Sequence, residues 1–431
     1  MDLHLMSLNA RTAFRKVYVT SAEMRNHALL LMADRMLTHR KEIFDANAID
    51  LENAQKESLA KPLLHRLKFG EEKLTQTTAG LRELASLEDP LGKTTLSREI
   101  ADGMELYRVT CPIGVIGVIF ESRPDALVQI ASLALKSGNT VLLKGGREAL
   151  QTNKVLCDIL REAAEEAGIP ADFAQLLETR DDVNAMLHED ETIDLIIPRG
   201  SKAFVRYIMD NSRIPVLGHS DGLCHVYIDE NADLDKALKV ALDSKTQNVS
   251  VCNAMETLLV HRSVANRFLP VFAEQAKEKG VELRGDPEVC SMISCLPATE
   301  EDWKTEYLDL VLSIKLVDSV TEAIDHINRF GSHHTDCIVT EDHDAASVFL
   351  TSVDSAGVYL NVSTRFADGF VYGFGAEVGI ATGKIHARGP MGLEGLTTYK
   401  YILLGSGQTM TEVKTGKVSY THIDLNRSCP L

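Results

Sequence analysis

The sequence has no apolar run of the ~18 residues that a membrane-crossing helix requires, and no basic segment ahead of an apolar stretch at its N-terminus. Neither a membrane partner nor a secretory leader is therefore expected. Positive charge is in deficit: 45 Lys and Arg stand against 62 Asp and Glu, a formal charge of −17. Nucleic acid and anionic lipid repel such a polyanion, so neither is an expected partner. Eight cysteines are present (Cys111, Cys157, Cys224, Cys252, Cys290, Cys295, Cys337 and Cys429) but no C-x-x-C pair, and Cys290 and Cys295 lack a second pair to complete a zinc site. Reduced thiols in a cytoplasm, with no bound metal, are the expectation. His333 and His334 with Asp336 do not change it, because neighbours on a strand face opposite ways. Repeats and low-complexity tracts are missing, as is the G-x-G-x-x-G turn that marks many nucleotide sites.

What is there is ordinary globular composition, 431 residues with 45% hydrophobic and 25% charged, long enough for more than one core. Ser21 can cap a helix whose Leu29, Met32, Ala33, Met36 and Leu37 follow the i, i+3, i+4 spacing. From residue 104 strand and helix signals alternate. "MELYRVTCPIGVIGVIFE" reads as strand divided by Pro112 and Gly114, and "RPDALVQIASLALKSG" as a helix with Pro124 in its first turn and Gly138 at its end. "TVLLKG", "FAQLLET", "IDLIIPRG", "IPVLG", "LCHVYID", "ETLLVH", "TDCIVTE" and "GVYLNVS" follow as strands. Amphipathic helices lie between them, among them "SKAFVRYIMDN" and "LDKALKVALDSK". Near-continuous apolar strands separated by such helices predict an α/β fold with doubly wound parallel sheets, which bind ligands beyond the carboxyl ends of their strands. A domain boundary is expected near residue 228. The polar, Thr-rich tail after Gly405 reads as an edge hairpin or an arm.

Within "NVSVCNAME" (248–256) a cysteine sits among small and amide-bearing residues rather than aliphatics. A packed thiol is the safer reading of an arbitrary cysteine. Against it stand Ser250, Asn253 and the loop-to-strand location, where backbone amides can lower a thiol's pKa and hold an oxyanion. Three glycine sites fall at strand ends: Gly114 with Gly117, Gly145 with Gly146, and Gly200. "LLKGGRE" sets a lysine and an arginine beside two glycines, and "IPRGSKAF" opens a helix whose free amides attract phosphate. Each alone is more often a tight turn; together they favour a dinucleotide.

Several long stretches carry a resemblance: "GVIGVIFESRPDALVQIASLALKSGN", "LLKGG", "DLIIPRGS", "PVLGHSDGLCHVYID", "VCNAMETLLVH", "GSHHTDCIVTED", "NVSTRFADGF" and "GAEVGIATGKIHARGPMGLEGLTTYKY". From about residue 10 to about 405 the chain resembles the aldehyde dehydrogenase superfamily, most closely the branch that reduces γ-glutamyl phosphate. The resemblance implies two doubly wound parallel-sheet domains plus a small β oligomerisation arm. Residues 1–103 and 117–228 would form the NADP-binding domain, 229–394 the catalytic domain, and 104–116 with 395–431 the bridging strands of a homodimer or homotetramer. The implied reaction is NADPH-dependent reduction of L-glutamyl 5-phosphate to L-glutamate 5-semialdehyde and phosphate through a Cys252 thioester, the second step of proline biosynthesis from glutamate. Functional coupling to a glutamate 5-kinase is also implied. The alternatives are another NADP-dependent semialdehyde dehydrogenase, or a catalytically silent oligomeric scaffold.

The site residues follow from the same resemblance. Ser122 stands where relatives place an asparagine of the oxyanion hole. Val216 stands where hydrolytic relatives place the glutamate that activates water, which suits phosphate rather than water as the acyl group's partner. Lys144, Gly145, Gly146, Gly200 and Ser201 would bind the dinucleotide, and Glu306 would hold the nicotinamide ribose. Arg147 replaces a glutamate that pairs with the adenosine 2′-hydroxyl in NAD-preferring relatives, and a guanidinium there suits a 2′-phosphate. For the substrate's anionic groups the expected partners are Arg123, Ser363, Thr364, Arg365 and Arg388.

Overall fold

A computed structural model describes residues 2–59, 61–121, 123–179, 181–218 and 221–430. Helices lead the chain. Ser21 caps Ala22–Thr38, its hydroxyl accepting from the Met24 amide at 3.2 Å, and Leu29, Met32, Ala33 and Met36 are fully buried, as their spacing predicts. Leu37 instead faces solvent, because its neighbour Met36 already occupies the inward direction.

Strands β1 (Thr94–Ala101) and β2 (Met104–Pro112) pair antiparallel. Next come β3 (Val115–Ile119), β4 (Thr140–Lys144), β5 (Ala174–Leu176) and β6 (Leu195–Pro198), a parallel sheet in the order β5-β4-β3-β6. Successive β3 residues serve opposite layers. Ile116 and Val118 join the core under helices Ala22–Thr38, Pro124–Lys136 and Leu150–Glu166, while Val115 and Ile119 pack with residues of Leu3–Val17 and Lys202–Asn211. Both faces are dry, which is why these strands read as unbroken apolar runs. "IPVLG" adds only a single parallel bridge, Val216 to Ile196.

The second sheet holds β7 (Cys224–Ile228), β8 (Met255–His261), β9 (Glu282–Gly285), β10 (Leu296–Pro297), β11 (Val311–Val317), β12 (Thr335–Val339) and β13 (Gly357–Leu360) in the order β10-β9-β11-β8-β7-β12-β13, all parallel. The boundary expected near 228 therefore falls one strand late. β7 bonds to β8 and β12 in the middle of this sheet, and an apolar strand alone does not reveal which sheet it joins. β14 (Gly379–Ala381) and β15 (Gly389–Met391) form a ribbon, and Val378, Ala381, Met391, Leu393 and Leu396 around it return to the first core. Residues 378–394, expected with the second domain, thus pack on the first.

β16 (Thr397–Leu404) runs beside β2, and β17 (Tyr420–Asp424) closes the other side of β1, giving the antiparallel order β16-β2-β1-β17. The expected arm exists, but it also takes in β1, which had been placed with residues 1–103. Among the described residues no helix is long and apolar enough to cross a membrane.

Candidate active site

Cys252 lies in a turn three residues ahead of β8, closed by the Ala254 amide donating to the Val251 carbonyl at 3.1 Å. The chain entering β7 passes directly against this turn. A Cβ on Gly222 would stand 2.1 Å from the Cys252 carbonyl oxygen and 2.4 Å from its Cα, so only glycine permits the approach. On the other side the buried Thr364 hydroxyl donates to the Asn253 carbonyl at 2.7 Å, and Asn253 Nδ2 donates to the Ala367 carbonyl at 3.0 Å. The turn is clamped from two elements distant in sequence.

Cys252 is half-buried and belongs to none of the apolar core clusters. His334 Nε2 sits 3.1 Å from Sγ. Burial pushes the thiol up to about 12, the Glu306 and Glu377 carboxylates act the same way, and the Arg199 guanidinium opposes them. By itself such a thiol is almost wholly protonated at neutral pH, so its surroundings must take the proton before it can attack.

His334 immediately precedes β12 and is 1% exposed. Its neighbour His333 adopts φ +60°, in the left-handed region that a non-glycine residue rarely occupies. His333 Nδ1 bonds the Asp354 carbonyl at 2.5 Å, so this backbone twist sends the two imidazoles in different directions and brings only His334 to the sulfur. Its other ring nitrogen lies 3.0 Å from the Thr335 hydroxyl.

Two carboxylates and two guanidiniums frame the thiol. Glu306 accepts from the Gly222 amide at 3.0 Å, and burial raises its pKa. Glu377 accepts from the Gly369 amide at 3.0 Å and is pushed up to about 7 by burial. Arg199 follows β6 directly. Burial first, then the charge of Arg123, lowers its pKa, with Glu377 and Cys252 pulling the other way. Arg365 donates from Nε to Gln247 Oε1 at 2.9 Å, and burial lowers its pKa too, with Cys252 in its field. Behind Cys252, Lys245 and Glu256 form an ion pair at 2.6 Å with both side chains 1% exposed. Glu256 also accepts from the Leu308 amide at 3.3 Å, steadying the segment that carries Glu306.

The remaining expected residues divide. Arg123 is exposed, 3.5 Å from the Asp125 carboxylate that Lys73 meets at 2.9 Å, and all three line a cavity of about 250 Å³ with Phe370 and Gln129. Ser363 is buried and meets Ser244 Oγ at 3.2 Å, so with Thr364 it holds the scaffold. Arg388 is committed to Asp354, bonding its carbonyl and its carboxylate at 3.1 Å each. Ser122 lies outside the described residues.

At the end of β4, buried Lys144 donates to the Gly145 carbonyl at 2.5 Å. A Cβ on Gly145 would lie 2.3 Å from Asn153 Nδ2, and one on Gly146 2.1 Å from Glu148 Oε1. Arg147 pairs with Glu57 at 2.6 Å, both side chains in solvent. Helix Lys202–Asn211 opens after Gly200, and the Ser201 side chain makes no capping bond to its first-turn amides.

Arg199 and Glu377 were not singled out in the sequence, and His334 only as a metal-ligand candidate that was set aside. All three stand inside quoted motifs, "GSHHTDCIVTED", "IPRGSKAF" and "GAEVGIATGKIHARGPMGLEGLTTYKY", but only tertiary folding sets them beside residue 252.

A cysteine in a glycine-contacted turn between two doubly wound parallel sheets, with an antiparallel arm, is the architecture of one class of oxidoreductase. The model of the aldehyde dehydrogenase family matches residues 2–296, and the chain belongs to that family. Within it, the γ-glutamyl phosphate reductases of Ruminiclostridium cellulolyticum and Acetivibrio thermocellus are 56% and 55% identical, over 99% and 100% of both chains. The crystal structure of the γ-glutamyl phosphate reductase from Thermotoga maritima superposes with a TM-score of 0.93 at 41% identity, covering 95% of this chain and 100% of that one. The branch to which the chain belongs is therefore that of the γ-glutamyl phosphate reductases.

Proposed function

We propose that this protein reduces L-glutamyl 5-phosphate to L-glutamate 5-semialdehyde with NADPH, releasing phosphate through a Cys252 thioester, as the second step of proline biosynthesis from glutamate. The names of its relatives support the substrate, and the setting of Cys252 supports the route. The thiol attacks the γ-carbonyl and phosphate departs. Arg199, whose guanidinium and the Cys252 thiol act on each other's charge, supplies a positive field for that departing anion beside the sulfur. Lys73 and Arg123 on the cavity wall suit the substrate's α-carboxylate, and Asp125 its α-ammonium. Val216 packs into the apolar layer over the first sheet, so it offers water no base, and the thioester waits for reduction rather than hydrolysis.

The chemistry of the donor set fits a dinucleotide: a buried ammonium at Lys144, tight glycines beside it and first-turn amides of Lys202–Asn211 that the Ser201 side chain does not cap. A bound reduced nicotinamide supplies the hydride. Glu306, anchored on Gly222 against the Cys252 turn, would orient its ribose. Arg147 suits the 2′-phosphate of NADPH because its present partner is an exposed carboxylate, and an ion pair in water is readily exchanged. The arm supports assembly as a homodimer or homotetramer.

The observation that carries the reading is the Cys252 sulfur 3.1 Å from an imidazole, in a half-buried turn. Incubation with glutamate 5-semialdehyde, inorganic phosphate and NADP⁺ tests it through the absorbance of reduced cofactor. Phosphate-dependent reduction is expected, with a loss on the order of 10⁴-fold or more in Cys252→Ala. Phosphate-independent reduction would indicate another semialdehyde dehydrogenase, and no reduction a scaffold.

A further inference from the structure

We propose that His334 is the catalytic base that takes the proton of the Cys252 thiol, an inference that rests on Cys252 being the nucleophile. The two reacting atoms are already in place: Nε2 and Sγ are 3.1 Å apart, within reach of a sulfur hydrogen bond. For Nε2 to accept, the ring proton must sit on Nδ1, and the Thr335 hydroxyl at 3.0 Å is there to accept it. The arrangement also has a backbone cost. The left-handed conformation of His333, pinned by its bond to the Asp354 carbonyl, is what aims His334 inward, and such conformations concentrate where function demands them.

The proton inventory balances. The thiol proton moves to His334 Nε2, and the sulfur pair forms the C–S bond while the C–O bond to phosphate breaks and phosphate leaves with that pair. The hydride that a bound reduced nicotinamide would supply would form the new C–H bond; as the C–S bond breaks the pair returns to sulfur, which recovers its proton from the His334 imidazolium. The departing phosphate takes one proton from solvent. No carboxylate is needed as base, which agrees with Val216 at the position where hydrolytic relatives carry one.

Other charges face this pair. Glu306 and Glu377 oppose thiolate formation, Arg199 and Arg365 favour it, and the Cys224 thiol lies 3.9 Å from His334 Nδ1. The apparent titration is therefore that of the whole cluster, and only a variant at 334 isolates the imidazole.

Alkylation of Cys252 by iodoacetamide, followed residue by residue by mass spectrometry across pH 5–10, needs no substrate or cofactor. In the unmodified protein, labelling is expected to rise at a pH below the ~8.5 at which a free thiol ionises, and to level off. In His334→Gln that rise should vanish, leaving labelling at pH 7 at least tenfold slower and climbing only in alkali, with kcat down roughly 10²- to 10⁴-fold. Thermal melting and cofactor binding unchanged in the variant would show that the loss is chemical. Should His334→Gln not fold, the unmodified protein still decides: labelling of Cys252 that climbs only above pH 9 overturns the proposal. So do identical profiles in the two proteins. Retained turnover in Cys252→Ala would instead sink the thioester reading itself, a different failure with a different readout.

Discussion

Arg147 carries the choice of cofactor on one side chain, and its position makes the expectation sharp. It stands two residues beyond Gly145 in solvent, held by Glu57, so replacing it should leave the core untouched. Arg147→Glu is expected to lower kcat/KM for NADPH by roughly 10- to 100-fold, the scale of a lost charge-assisted pair, while the value with NADH changes little. Steady-state kinetics with both cofactors checks this. A parallel fall with NADH would place Arg147 outside cofactor selection. Of the residues named from sequence, Glu306 and Arg365 converge on Cys252, each entering the electrostatic surroundings of its thiol. Arg388 does not join them, since Asp354 claims it. His334 was weighed only as a metal ligand, because an adjacent pair of histidines reads as two faces of a strand, and nothing in one dimension shows that one face looks onto residue 252.

At the scale of elements, the buried Lys245–Glu256 pair ties helix Leu234–Thr246 to β8 and, through the Leu308 amide, to the segment bearing Glu306. Removing one charge strands the other in a dry interior. Lys245→Met is expected to lower stability by about 3–5 kcal/mol in urea unfolding, and Lys245→Met with Glu256→Leu by less, because the second change removes the orphan. Equal losses in the two variants would mean that the lysine acts by packing alone. Most helices and strands were legible from periodicity and capping residues. β9 and β11 were not assigned, the first because it is only four residues long and the second because Lys315 and Ser313 interrupt its apolar run.

At the scale of the molecule, the arm ends in an open edge. Tyr399, Tyr401 and Leu403 project on one side of β16 and are each more than half exposed, and an unpaired edge with apolar side chains is a template for another chain. Tyr401→Lys with Leu403→Lys is expected to reduce the sedimenting mass to that of one chain while the fold's melting transition survives. An unchanged mass would move the interface elsewhere. The sequence alone determined the alternation of buried strands and amphipathic helices, the glycine turns and the polar cradle of Cys252, because hydrophobic period and turn chemistry act over a few residues. Only the tertiary structure decided which sheet β7 joins, that residues 378–394 return to the first core, and that His334, Arg199 and Glu377 gather at one sulfur. Those outcomes depend on contacts between segments tens to hundreds of residues apart, which no local pattern encodes.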